Sequence, residues 1–316
     1  MEALNRKIIV IGSFNTDMVV KAVKFPLPGE TVLGGQFLMN PGGKGANQAI
    51  AAARMGADVT LIANVGNDMF GRMALQQFKK EKIDCRYITM DPDEPSGVAI
   101  INVDDSGETR IAVSPGANNN LRFGDVDPAL ESAEEGTIVL MQLEIPIEVV
   151  EYVILKCHQL KLRVVLNPAP VQNLSKELFP YIYALVSNEV EASALTGIEV
   201  KDTTTAGMAA LKLKEMGVQH VVITLGAQGA YVNADDIQGL IPAPRVAVVD
   251  STGAGDSFCG AFATALSEDF CWDEAVLFAC KVAAISVKSL GAQTSIPYRR
   301  EVEAEPGLQH RFLSRM

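Results

Sequence analysis

The chain has 316 residues, of which 48% are hydrophobic and 21% charged, and a formal net charge of −11. These are the proportions of a soluble globular protein with room for one large α/β unit or two ordinary ones. An acidic surface without a basic run excludes nucleic acid and anionic membranes as partners, and no apolar stretch is long enough to span a bilayer.

Residues 7–12 form the first strand-like run. Residues 18–22 and 30–37 are also strand-like, with Pro26, Pro28 and Gly29 between them and no helix. A helical pattern over 45–55 leads to a strand over 59–64, and a helix over 70–80 follows. Residues 97–103 and 109–114 flank Asp104-Asp105-Ser106-Gly107, the composition of a hairpin turn. Strands over 138–142 and 164–167 bracket a helix over 147–159. A strand over 184–187 runs into a helix over 189–195, and a helix over 206–216 into a strand over 221–225. A β-branched run over 246–249 precedes a small-residue helix over 257–266. This alternation predicts a doubly wound α/β fold, with a mostly parallel central sheet and helices on both faces. The two strand pairs without helices predict a small antiparallel sheet inserted at about 15–38 and 96–115. Residues 1–316 read as a single domain.

The seven residues Asp250-Ser251-Thr252-Gly253-Ala254-Gly255-Asp256 join the 246–249 run to the last of these helices. Such a turn aims backbone N–H groups at one point, and the helix dipole adds partial positive charge there. Asp256 in the first helical turn sits beside any anion so held, equipped to take a proton from an attacking hydroxyl. The alternative is a plain turn with an N-capping Asp. Gly42-Gly43-Lys44-Gly45-Ala46-Asn47 opens the first long helix and supplies close backbone approach, a mobile cation and a two-sided amide. It is not a P-loop, because Gly45 follows Lys44 where Ser or Thr belongs. Gly253-Ala254-Gly255 is not a dinucleotide fingerprint either, since Phe258 stands at the third glycine position.

Asn15 and Asp17 follow the first strand, on one face of an extended segment, which suits vicinal hydroxyls or a simple turn pair. Glu144, Asn188, Glu191 and Asn167-Pro168-Ala169-Pro170 likewise follow strands, so polar residues gather at one end of the sheet. Cys85, Cys157, Cys259, Cys271 and Cys280 form no C-x-x-C pair, which speaks against zinc and disulfides and for a reducing compartment. The polar start, residues 1–7, carries no signal-peptide pattern, so a cytoplasmic location is expected. His158, His220 and His310 lie outside every motif, and no catalytic role is expected of them.

Together these residues resemble the ribokinase family of carbohydrate and nucleoside kinases, from Ile8 to about Arg299. Both family signatures are present: Gly42 to Asn47 with Gln48 and Ala49, and Asp250 to Asp256. Asn188-Glu189-Val190-Glu191 is similar to the family's N-x-x-E motif, and Thr224-Leu225-Gly226-Ala227-Gln228-Gly229 to its nucleotide loop. The resemblance implies ATP-dependent phosphorylation of D-ribose at the 5-hydroxyl. The rivals are the same chemistry on fructose, deoxyribose or a nucleoside, and a non-catalytic sugar or nucleotide sensor. By resemblance, Asp256 is the catalytic base, and Gly253, Ala254 and Gly255 form the anion hole. Asn15, Asp17, Gly43, Lys44, Gly45, Ala46, Asn47 and Glu144 hold the sugar. Asn188, Thr224, Leu225, Gly226, Ala227, Gln228, Gly229 and Gly255 hold ATP, while Glu191 places hydrated magnesium. Asp250, Thr252, Ser286, Ser289, Gly291 and Ser295 hold a potassium ion. Ala227-Gln228 departs from the Ser-Arg or Lys-type pair usual in that loop. The small sheet is expected to act as a lid and to pair two copies into a homodimer through Val19, Val32, Leu33, Val98, Ile100 and Ile111.

Overall fold

The computed structural model describes residues 7–235 and 237–305. β1 (Lys7–Ile11) is buried on both faces: Ile8 and Val10 enter one core, Ile9 and Ile11 the other. A strand so placed reads as an unbroken apolar run. After it come β2 (Asn15–Lys21), β3 (Gln36–Gly42), α1 (Lys44–Arg54), β4 (Asp58–Gly66), α2 (Met69–Lys80) and β5 (Asp84–Asp91). β6 (Gly97–Val103) and β7 (Thr109–Ser114) precede α3 (Phe123–Glu131), β8 (Ile138–Met141), α4 (Ile147–Leu160) and β9 (Arg163–Leu166). The remainder is β10 (Ala184–Asn188), α5 (Glu189–Thr196), α6 (Thr203–Glu215), β11 (His220–Thr224), β12 (Gly229–Ala234), β13 (Ile237–Pro242), α7 (Ala254–Ser267), α8 (Trp272–Ser286) and α9 (Arg299–Ala304).

The main sheet has the order β13-β12-β11-β10-β9-β8-β1-β4-β5. It is parallel except for β12 and β13, which close one edge as antiparallel strands. Helices α1, α2, α7 and α8 pack on one face, and α3, α4, α5 and α6 on the other. This is the expected doubly wound architecture. From β1 the chain moves outward through β4 and β5, then returns to place β8 on the other side of β1. The loops leaving β1 and β8 therefore diverge, and in open α/β sheets ligands bind in such a crevice.

The small sheet has the order β3-β2-β6-β7. It is mixed, not antiparallel as expected: β2 pairs antiparallel with β3 and β6 with β7, but β2 and β6 run parallel. The reason is topological. β2 leaves the end of β1 and β6 leaves the end of β5, both carboxyl ends of parallel strands, so both run outward in one direction. The second lid strand is Gln36–Gly42 and not residues 30–37; Gly34 and Gly35 hold positive φ in the irregular stretch before it. Val32 and Leu33 thus fall outside the sheet. The expected apolar lid face is also divided. Val19 and Ile111 share the face of Asp17, whereas Val98 and Ile100 share the opposite face with Met18. The β-branched run 246–249 is no strand either: it joins no sheet, the Val249 N–H donates to the Val287 carbonyl (2.8 Å), and Val248 and Val249 are exposed.

Candidate active site

One end of the site is built where the loop after β1 meets the start of α1. Gly43 caps α1 with φ +87°, and a Cβ there would lie 2.6 Å from the Asn15 nitrogen. Gly45 has the same constraint, its Cβ position falling 2.4 Å from the Ser13 nitrogen. Only glycine admits this approach. It lets the Ala46 N–H reach the Ser13 carbonyl at 2.8 Å. Glu144, beyond β8, accepts from the Ser13 hydroxyl (2.5 Å) and the Lys44 N–H (2.9 Å). One carboxylate therefore ties β1, α1 and β8 together at the crevice. Burial pushes the Asp17 carboxyl up to about 6, with help from the charges of Glu144 and Asp256 and opposition from Lys44. Burial would lower the Lys44 ammonium, yet Asp256, Glu144 and Glu191 together raise it, so Lys44 is held charged.

Asp256 stands in the first turn of α7, behind Gly253, the left-handed N-cap (φ +74°). Both carboxylate oxygens are gripped: Oδ2 accepts from Asn47 Nδ2 (2.8 Å) and Oδ1 from Gln48 Nε2 (3.0 Å). Gln48 is oriented in turn, since its Oε1 accepts from Gln142 Nε2 (2.6 Å) and its Nε2 also donates to Asn167 Oδ1 (3.2 Å). Asn167 is fixed by donating to the Val186 carbonyl (3.0 Å). The amide lattice leaves Asn47 Oδ1 buried and without a partner.

Asp256, Gly253 and Gly255 open into a cleft of about 180 Å³ that Lys44, Asn188, Glu191 and Thr224 also line. The cleft unites a helix N-terminus with a charged lysine, a combination whose electrostatics favour an anion. Within this turn the Ala254 N–H donates to the Ser251 carbonyl (3.2 Å). Cys259 lies in the wall, its thiol pushed well above the usual range by burial and then by Asp256 and Glu191. At the far side Asn188 and Glu191 form a reciprocal cap on α5. Asn188 Oδ1 accepts from the Glu191 N–H (2.8 Å), and Glu191 Oε2 from the Asn188 N–H (2.9 Å). Burial raises the Glu191 carboxyl, against the pull of the Asn188 N–H and Lys44. Thr224 ends β11, and its hydroxyl donates to the Ser187 carbonyl (3.3 Å). Leu225 is buried, Gly226, Ala227 and Gln228 form an exposed turn, and Gly229 starts β12; none of these five lines the cleft.

Behind Gly253 two segments meet. Asp250 Oδ1 accepts from the Thr252 N–H (2.9 Å) and hydroxyl (2.7 Å), and Oδ2 from the Gly291 N–H (2.9 Å). Burial would raise the Asp250 carboxyl, but the N–H groups of Gly291 and Thr252 hold it below the ordinary range. The Ser286 and Ser295 hydroxyls donate to the Ala283 and Ala292 carbonyls (both 2.9 Å), and the Ser289 N–H donates to Ser286 (3.3 Å). His158 packs on Tyr181, and His220 on Tyr183 and Trp272, away from the cleft; His310 lies outside the described residues. Sequence reading missed Ser13 and Asn118. Asn118 anchors Asn15 by donating Nδ2 to its Oδ1 at 2.9 Å.

The family model for pfkB carbohydrate kinases matches residues 5–299. A ribokinase of Haemophilus influenzae is 41% identical over 298 residues, which are 94% of this chain and 97% of that protein. The crystal structure of a Thermotoga maritima ribokinase has a TM-score of 0.85 at 38% identity, covering 94% of this chain and 98% of its own. An Arabidopsis thaliana ribokinase complexed with ribose and ATP has a TM-score of 0.85 at 30% identity, covering 93% and 96%. With its doubly wound sheet and its small mixed sheet, the chain belongs to the pfkB family of carbohydrate kinases.

Proposed function

We propose that this protein transfers the terminal phosphoryl group of ATP to the 5-hydroxyl of D-ribose. One observation carries the reading: Asp256 is gripped at both oxygens, between a polar sugar pocket and an anion cleft. Similarity to ribokinases, one of them solved with ribose and ATP, supports the same choice of substrates. Asp17 and Asn15 take the ribose diol, and the bare Asn47 Oδ1 accepts a further hydroxyl proton. The attacking hydroxyl lies against Asp256. Phosphoryl transfer has a loose transition state, so Asp256 first orients the oxygen and takes its proton late. Charge on the transferring group falls to the Gly253–Gly255 turn, the α7 dipole and Lys44. The lid over the sugar limits attack by water.

Among the described residues no three His, Cys, Asp or Glu groups cluster to cage a metal, while Glu191 borders the cleft beside Asn188 and Thr224. That arrangement fits a magnesium ion carried in on the nucleotide, with Glu191 holding its water shell. Such an ion supplies charge neutralisation along the phosphates. Potassium fits between residues 250–252 and 286–295, where Asp250 gives a carboxylate and Thr252, Ser286, Ser289, Gly291 and Ser295 give oxygens. The lid supports a homodimer, because Phe37, Met39 and Ile100 on one face and Ile111 and Val113 on the other are exposed. Five free cysteines and no helix apolar enough to cross a membrane among the described residues favour the cytoplasm.

A coupled ADP-release assay with ribose, 2-deoxyribose, fructose and nucleosides tests the assignment. A missing hydroxyl leaves a buried polar group unpaired at about 1–3 kcal/mol, so ribose should lead 2-deoxyribose by at least about tenfold in kcat/KM. Equal values, or a preference for fructose or adenosine, overturn it.

A further inference from the structure

We infer that Asn118 sets the hydrogen-bond polarity of the sugar pocket by turning the Asn15 amide so that it offers the sugar an N–H and not a C=O. The inference rests on the sugar-kinase reading and names a positioning residue that this reading does not require. Asn118 lies where the chain returns from the lid strand β7 to the main body, in the short helical turn Gly116–Asn120, and its side chain is fully buried.

Amide orientation follows from a chain of forced choices. A backbone N–H can only donate, and the Phe14 N–H meets one end of the Asn118 amide at 2.9 Å, so that end is Oδ1. The other end is therefore NH₂. Its two hydrogens are shared among three acceptors, the Phe14 carbonyl, the Pro115 carbonyl and Asn15 Oδ1, each at 2.9 Å. The first two are obligate acceptors, which confirms the orientation. Because Nδ2 of Asn118 can only donate, Asn15 must face it with Oδ1. Turning the Asn15 amide over would set NH₂ against NH₂. The contact is also closely packed: a Cβ on Gly97 would lie 2.1 Å from Asn15 Oδ1 and 2.3 Å from Asn118 Nδ2. Asn15 Nδ2 remains as the end with no hydrogen-bond partner among the described residues.

Asn15 and Asp17 are two apart on β2 and share a face. The pocket therefore presents a donor, then an acceptor. A diol satisfies both only in one order: the hydroxyl at Asn15 accepts, and the hydroxyl at Asp17 gives up its proton. Asn47 obeys the same logic. Its N–H faces an obligate acceptor, the Asp256 carboxylate, so its carbonyl is the end left without a partner. Asn118 touches neither substrate nor reacting atoms.

The test uses Asn118→Asp and Asn15→Asp in the full-length protein. Asn118→Asp keeps size and the acceptor for the Phe14 N–H but loses every proton given at the other end, to the Phe14 and Pro115 carbonyls as well as to Asn15, so the Asn15 amide turns over and some stability is lost. Asn15→Asp keeps the bond from Asn118 but shows the sugar an oxygen. Measured are kcat/KM for ribose, 2-deoxyribose and 3-deoxyribose, the KM for ATP, and the melting temperature. Both variants should lose about tenfold or more in ribose kcat/KM, mainly through KM. The ratio of ribose to at least one deoxy sugar should fall about fivefold or more, with the KM for ATP within about twofold. A purely structural role for Asn118 would lower all three sugars alike, and that result overturns the inference. If Asn118→Asp does not fold, Asn15→Asp decides alone, and an unchanged ratio there overturns it. Should the wild-type protein prefer another sugar, the ribose assignment fails, and the same ratio is taken with that sugar and its deoxy analogues.

Discussion

Asp17 should cost the protein stability in exchange for sugar binding, and the cost should depend on pH. Its carboxyl is pushed up to about 6 by burial, then by Glu144 and Asp256. In the unfolded chain an aspartate titrates near 3.9. The gap is about two units at 1.36 kcal/mol each, so ionised Asp17 opposes folding by roughly 3 kcal/mol. The sign follows from proton binding. Between about pH 4 and 6 the folded state binds the proton more tightly, so stability falls as pH rises through that window. Above about 6 the whole cost is present; below about 4 both states are protonated and it vanishes. Asp17→Asn keeps the size and removes the charge. It should raise unfolding free energy by roughly 3 kcal/mol at pH 8 and by close to zero at pH 4, read from urea denaturation of the ligand-free protein across that range. The same variant should lose about tenfold or more in ribose kcat/KM, because an amide takes the proton of a hydroxyl less well than a carboxylate. In the wild type, KM for ribose should rise as pH falls through 6. Equal stabilisation at pH 4 and pH 8, or destabilisation at pH 8, would refute the reasoning.

Asp256→Asn should leave sugar binding nearly intact and lower kcat by about 10²–10⁴, the usual range for losing a positioned proton acceptor; turnover within threefold of wild type would remove Asp256 as the base. Activity should rise when potassium replaces sodium or tetramethylammonium at equal ionic strength, and Asp250→Ala, which frees the N–H groups of Thr252 and Gly291, should abolish that response. A flat response in the wild type counts against the potassium site. Light scattering at micromolar concentration should report about twice the chain mass, with Ile100→Glu giving monomers that bind ribose more weakly. A fully active wild-type monomer would sink the lid-to-lid dimer.

The strands at the centre of the sheet were legible because they are buried on both faces: β1, β8 and β9 are short unbroken apolar runs. The same burial hid α8. Ala275, Val276, Phe278, Ala279, Cys280 and Val282 are all buried, so its apolar residues do not confine themselves to one helical face. Strands β5, β12 and β13, with α3 and α9, also went unread; β5 is an edge strand of mixed burial without clean alternation. Residues 246–249 gave the opposite error. Three valines in four residues mimic a strand, but strand propensity measures fit to neighbouring strands, and none pairs there. Within the site, glycine-rich turns and carboxylates announce themselves through residue type. Ser13 and Asn118 do not, since what matters is a partner: Asn118 meets Phe14 across 104 positions, and it is one of three consecutive asparagines.

The charge balance of the cleft ties the two cation expectations together. Asp256, Glu144 and Glu191 surround Lys44, with Asp17 also within its field, and the three carboxylates outweigh the desolvation that would discharge it. The lysine is thereby fixed as a cation but leaves the ensemble negative, within a chain whose net charge is −11. A polyphosphate approaching such a site gains nothing from long-range steering. Its attraction must be local: about half a charge from the α7 N-terminus, the Lys44 ammonium, and cations that arrive separately. In the proposed reading one would ride on the phosphates next to Glu191. The other, which residues tied to Asp250 would hold, would need no contact with substrate to act, because the turn it would brace carries Gly253, whose Cβ position packs 3.0 Å from the Ala292 Cα. Cation dependence is on this view a consequence of using carboxylates to hold a sugar, since the groups that grip the hydroxyls also repel the phosphates.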